Sequence, residues 1–104
     1  MCKSIYKRLI EDFNFLNCYG YSYSHPLKHF EIPSVVYSRN ESELEIGFNY
    51  RTDRFYIYEY IKKDYLHPIL ILDDSELSRK SYYAELDSAK KELIAYLIEK
   101  GEQE

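Results

Sequence analysis

The stretch Glu43-Leu-Glu-Ile-Gly-Phe-Asn-Tyr50, joined through Arg51-Thr-Asp-Arg54 to Phe55-Tyr-Ile-Tyr-Glu-Tyr-Ile-Lys62, decides the fold. Both segments alternate with a period of two. In the first, Leu44, Ile46, Phe48 and Tyr50 share one side, and Glu43, Glu45, Gly47 and Asn49 share the other. In the second, Tyr56, Tyr58 and Tyr60 lie opposite Phe55, Ile57, Glu59 and Ile61. Successive strand residues point to opposite faces, so the pair reads as an antiparallel hairpin with one buried face. The parity of its loop sets the register. An even loop places Tyr50 against Phe55, Phe48 against Ile57 and Ile46 against Glu59. It also turns the three tyrosines to the side of Glu45, Gly47 and Asn49, away from the core. An odd loop flips every side chain. The even register matches apolar to apolar and is the expected one. It leaves Glu59 on the core side, where a carboxylate needs a helix end, a Tyr hydroxyl or an Arg partner.

Working outward, Ser34–Ser38 carries Val35, Val36 and Tyr37, all good strand formers, and Arg39-Asn40-Glu41-Ser42 supplies the turn. Beyond the hairpin, Pro68 opens a short apolar run, Ile69–Leu72, which suits a strand covered on both faces or a sheet edge. Residues 4–18 read as a helix, with Ser4 as N-cap, Ile5, Leu9, Phe13 and Leu16 at helical spacing, Tyr6 and Ile10 beside them, and Gly20 at the C-terminal end. Residues 20–33 read as irregular, Ser24-His25-Pro26 starting one short helical turn. The second helix carries Tyr82, Leu86, Ala89, Leu93, Tyr96 and Leu97 as one stripe. Asp73-Asp74-Ser75 would cap a first helical segment from about residue 75, and Gly101 would close it. Neither helix lies between strands, which argues against a parallel sheet. The expectation is an α+β fold in a single domain, residues 1–104. It consists of an N-terminal helix, a four-stranded antiparallel meander and a C-terminal helix, both helices on one face.

A chain of 104 residues is one domain by size. Its apolar fraction of 45% and charged fraction of 31% are globular rather than disordered. The net charge of −4 is uneven: residues 1–40 hold five Lys/Arg against three acids, whereas residues 41–104 hold nine against fifteen. Such an acidic surface repels phosphate backbones, so direct nucleic-acid binding is not expected, and a basic partner is. The acids also keep a small protein soluble. Two cysteines, Cys2 and Cys18, make no disulfide framework, which suits reduced thiols in a cytoplasm. The charges of the N-terminal segment leave no apolar leader, and no run approaches the ~18 residues of a membrane span.

Thirteen tyrosines without a tryptophan are the strongest compositional signal. Tyr combines a large ring with a hydroxyl, and it anchors protein interfaces. Tyr56, Tyr58 and Tyr60 beside Glu43 and Glu45 form the candidate partner-binding surface, with Asp73, Asp74 and Glu76 at its rim. Rings and carboxylates together can receive Arg or Lys. The competing reading is rings that only pair across strands. No catalytic set converges. His25 and His29 have metal-ligand spacing if helical, with Cys18 or His67 as further donors, but Pro26 shortens any helix and no paired-Cys or HExxH motif supports a metal. Asp73 with Asp74, or Glu59 alone, could serve acid–base chemistry, but a carboxylate bound to Lys or Tyr is the ordinary outcome. Cys18 reads as a buried structural thiol rather than a nucleophile. Lys62-Lys63 and Lys90-Lys91 are too brief for a nucleic-acid stripe, and no cofactor is expected.

One resemblance covers about the first half of the chain. A helix carrying Leu9, Phe13 and Leu16, then Tyr19-Gly20-Tyr21, then Val36-Tyr37, then the alternating strand Glu43–Tyr50, resembles the small immunity proteins of bacterial contact-dependent and polymorphic toxin systems. Those usually carry Phe at the position of Tyr21, and their binding residues do not transfer by position. The resemblance implies a non-enzymatic inhibitor that binds a cognate toxin, often a nuclease, in the cytoplasm. The acidic charge adds the expectation of a basic toxin, and a monomer or a homodimer is compatible with it. The alternative is a small-ligand-binding or interaction subunit of a bacterial complex, its pocket between sheet and helices.

Overall fold

The computed structural model describes residues 4–27, 32–61, 64–77 and 79–103, with 64, 65 and 101–103 described in backbone only. Among the sequence features above, Cys2, His29 and Lys62-Lys63 lie outside the described residues. The order is helix α1 (Ile5–Asp12), a 3-10 helix (Asn14–Tyr19), strands β1 (Ser22–Leu27), β2 (Ser34–Arg39), β3 (Ser42–Asn49), β4 (Arg54–Ile61) and β5 (Asp64–Leu72), and helix α2 (Tyr82–Gln103). The five strands form one antiparallel sheet in sequential order. It is an α+β fold with helices at both ends of the chain. No helix among the described residues is long and apolar enough to cross a membrane.

The first helix starts at its cap, Lys7 N donating to Ser4 Oγ at 3.2 Å. It does not run unbroken to residue 18. At Phe13 (φ −109°, ψ 14°) it tightens into the 3-10 helix, which Gly20 ends at φ 86°, a left-handed conformation that glycine adopts without a Cβ clash. The apolar spacing still works: Leu9, Phe13 and Leu16 are all fully buried.

A fifth strand was not expected. The segment read as irregular, with a helical turn at Ser24-His25-Pro26, is β1 instead. Tyr23 pairs with Tyr37, and Pro26 pairs with Val35 across a bulge at Ser24. Proline is tolerated because β1 is an edge strand, where a missing N–H need cost no ladder bond. The apolar run Ile69–Leu72 is the end of a longer edge strand. Between Glu59↔Ile69 and Ile61↔Asp64, β5 bulges away from its neighbour. With Pro68 in the bulge, the edge is a poor template for further pairing.

The central hairpin keeps the expected parity but not the expected pairs. Its loop is Tyr50–Asp53, so Phe48 faces Phe55, Ile46 faces Ile57 and Leu44 faces Glu59. Asn49 closes the loop. Its Oδ1 accepts from Arg51 N at 2.8 Å, and its carbonyl accepts from Asp53 N at 2.7 Å. Asp53 then takes φ 55°, which Asp tolerates better than most residues. These bonds place the turn one residue earlier than the Arg51–Arg54 reading, and the pairing shifts by two while the faces stay the same.

Val35, Tyr37, Leu44, Ile46, Phe48, Phe55 and Ile57 form one buried layer of the sheet. Leu9, Phe13 and Leu16 from the N-terminal helices and Leu86, Ala89, Leu93 and Leu97 from α2 join the same cluster. Helix α2 begins at Tyr82 rather than near 75. Ser81 Oγ accepts from Ala84 N at 3.2 Å and caps it, whereas Asp73 spends both carboxylate oxygens on Ser75, in a local turn. Gly101 lies inside the final turn and does not end the helix.

Candidate protein-binding face

The sheet's second face is turned away from both helices. The pairs Tyr56↔Gly47, Tyr58↔Glu45 and Tyr60↔Glu43 bring five of the expected residues together there. The rings of Tyr56, Tyr58 and Tyr60 follow one another along β4, with centroids 5.8 Å and then 6.4 Å apart. From β2 and β1, Val36 and His25 pair with each other on this face, and Leu27 pairs with Ser34.

The three tyrosines are not equivalent. Tyr58 and Tyr60 are half-buried, but Tyr56 is only 6% exposed, which corrects the reading of it as a presented ring. The reason lies across the ladder. Gly47 has no side chain, and the Tyr56 ring occupies the space where its Cβ would stand. Tyr56 then donates to Glu45 Oε2 at 2.7 Å. Burial first, and the Glu45 carboxylate after it, push the Tyr56 hydroxyl far above its ordinary value. Burial and Glu45 also raise Tyr60. Both phenols therefore stay protonated, and Tyr56 donates.

The expected rim is placed elsewhere. Asp74 Oδ2 accepts from Asn49 Nδ2 at 3.0 Å, beside the central hairpin loop. Asp73 is held by Ser75, whose side-chain and backbone bonds lower its carboxyl below the usual value. Glu76 is exposed and follows them. These acids cluster at the loop end of the sheet, whereas Glu43 and Tyr60 sit toward the opposite end of the same ladder.

Glu59, the awkward carboxylate, lies on the helix side at 1% exposure. Tyr96 donates to its Oε1 at 2.5 Å, and Ser42 donates to Oε2 at 2.7 Å. Lys100, from the last turns of α2, pairs with the same Oε2. A bound Tyr and Lys fit a structural carboxylate better than a general base. His25 lies in a strand and bonds Ser24 at 2.8 Å, so the helical His pair is replaced by an extended segment. Cys18 is exposed and unpaired, not buried.

Sequence reasoning missed the β1 side of the face. A signal was present in His25 and Leu27, which keep the period of two, but the bulge at Ser24 breaks the run and leaves Tyr23 beside Tyr37 on the helix side. The proline between them masked it. Comparison of the chain with protein-family models, with curated proteins and with solved structures found no match.

Proposed function

We propose that this chain is a non-enzymatic protein-binding inhibitor, an immunity protein that neutralises a cognate basic toxin in the cytoplasm by covering the toxin's cationic surface. Nucleases fit that description best among toxins, because a surface that holds a polyanion is itself basic. The observation that carries the reading is the placement of Tyr58 and Tyr60 beside Glu43 and Glu45 on the face turned away from both helices. Negative charge speeds the encounter with a cationic partner, and half-buried rings supply area that docking can finish covering. The Asp73, Asp74 and Glu76 cluster extends the acidic surface at the loop end. A small-ligand subunit with a pocket between sheet and helices has less support, since Leu9, Phe13, Leu16, Ile46, Ile57 and Leu93 fill that space without solvent exposure.

Pull-down from the native cells tests the reading, followed by titration of the captured protein. A basic partner is expected. The double variant Tyr58→Ala/Tyr60→Ala should weaken binding by about 2 kcal/mol or more. Its thermal midpoint should move little, because neither ring belongs to the buried cluster. Recovery of no basic partner, or full-strength binding by the double variant, would overturn the proposal.

A further inference from the structure

Beside Tyr60 the open face is not flat. His25, Leu27, Val36, Glu43, Glu45 and Tyr60 line a groove of about 180 Å³. That volume is below the range of sites for drug-sized ligands and suits one inserted side chain. Leu27 and Val36 supply apolar lining, Tyr60 an aromatic wall, and Glu43 and Glu45 two carboxylates on one strand face. Among the described residues, the lining contains neither lysine nor arginine.

We infer that this groove is a slot for one arginine side chain of the protein partner. The inference rests on the proposed inhibitor function and names the group that its acidic face would grip. Three features of the lining match three parts of arginine. An alkyl stem packs on Leu27 and Val36. A planar guanidinium stacks on the Tyr60 ring, at the ~6 Å range of cation–π attraction. Its fork of N–H donors meets carboxylates, which it can engage in pairs. Glu45 already accepts from the Tyr56 hydroxyl, which holds one acceptor of the groove in place before a partner arrives. Lysine fits less well. Its ammonium is compact and strongly hydrated, and it offers no plane to stack. A small metal cation would use the carboxylates but leave the apolar lining and the ring without purpose.

The test uses N-acetyl-arginine amide and N-acetyl-lysine amide as probes, titrated into the isotope-labelled full chain and followed by amide chemical shifts. The arginine probe should shift His25, Leu27, Val36 and Tyr60 along one saturable curve, and the lysine probe should bind several-fold more weakly. Glu43→Gln/Glu45→Gln should weaken the arginine probe about tenfold. Leu27→Lys, which places a resident ammonium in the groove and leaves both carboxylates intact, should abolish the shifts while the spectrum stays folded. Saturable shifts centred elsewhere, equal response to both probes, or unchanged binding in both variants would overturn the slot. If the wild-type chain captures a basic partner but shows no arginine response, the slot fails and the inhibitor function stands. If the arginine probe binds as described but no basic partner is recovered, the inhibitor function fails and the slot stands.

Discussion

Glu59 occupies a strand position where the alternation calls for an aliphatic side chain, and three donors make that exchange workable. Desolvation alone would raise its pKa, but the bonds from Lys100, Tyr96 and Ser42 outweigh it and hold the carboxyl below its ordinary 4.5. The core-side placement of Glu59 was readable from the alternation. Its partners were not, because Lys100 and Tyr96 are some forty residues away in sequence and only the docking of α2 brings them in. A folded-state pKa below the unfolded one adds stability above about pH 4.5, and that stability drains as pH falls through the folded value. Urea midpoints measured from pH 3 to 7 should therefore drop only at the acid end. Lys100→Met should cost about 2–4 kcal/mol at neutral pH, because a buried carboxylate loses its counter-charge. It should also move the onset of acid unfolding to higher pH, since desolvation then has less opposing it. A neutral-pH midpoint unchanged in Lys100→Met would show that Lys100 is an idle surface charge.

At the scale of elements, alternation carried β2, β3 and β4, and helical spacing carried the apolar stripes of both helices. What alternation cannot carry is register beyond parity, because shifting a strand by two residues leaves every face unchanged. Asn49 made the choice, through turn bonds that only a specific loop length satisfies. The edge strands were legible least. β1 exists because β2 offers an open ladder, and neither Pro26 nor the bulge at Ser24 prevents its use. The Gly47–Tyr56 pair offers a direct test of how β3 and β4 are fitted together. A methyl group at position 47 runs into the Tyr56 ring, so Gly47→Ala should cost roughly 1–3 kcal/mol as an overpacking change. The displaced ring should become accessible, which tyrosine fluorescence quenching would report together with the denaturation midpoint. If Gly47→Ala is neutral and Tyr56 stays protected, the ring is not seated on the glycine.

Across the whole molecule, several of the described tyrosines serve one of two tasks that composition alone could not separate. Some lie on the open face. Others tie elements together by their hydroxyls. Tyr37 of β2 donates to Ile10 O of α1 at 3.1 Å, Tyr82 of α2 to Asp12 of α1 at 3.3 Å, and Tyr96 of α2 to Glu59 of β4. Tyr56 joins β4 to β3 in the same manner. Phenylalanine would fill the space but make none of these bonds, and so the chain spends its aromatic content on Tyr. Burial pushes Tyr37 and Tyr82 up to about 12, the latter aided by Asp12, and raises Tyr56 and Tyr96 as well. For groups whose folded pKa is raised, stability is complete below the unfolded value of 10.0 and is lost as pH rises through the folded one. Each ring kept protonated by the fold then removes about 1.4 kcal/mol per pH unit above 10. Together these rings reach the scale of a typical domain's stability, about 5–15 kcal/mol, near pH 11 to 12. The fold should thus be markedly alkali-labile. Absorbance at 295 nm should show an early reversible wave from exposed phenols, then a second wave coincident with collapse of the far-ultraviolet circular dichroism. A single wave near pH 10 with the dichroism intact would mean that the hydroxyl ties do not hold helices and sheet together.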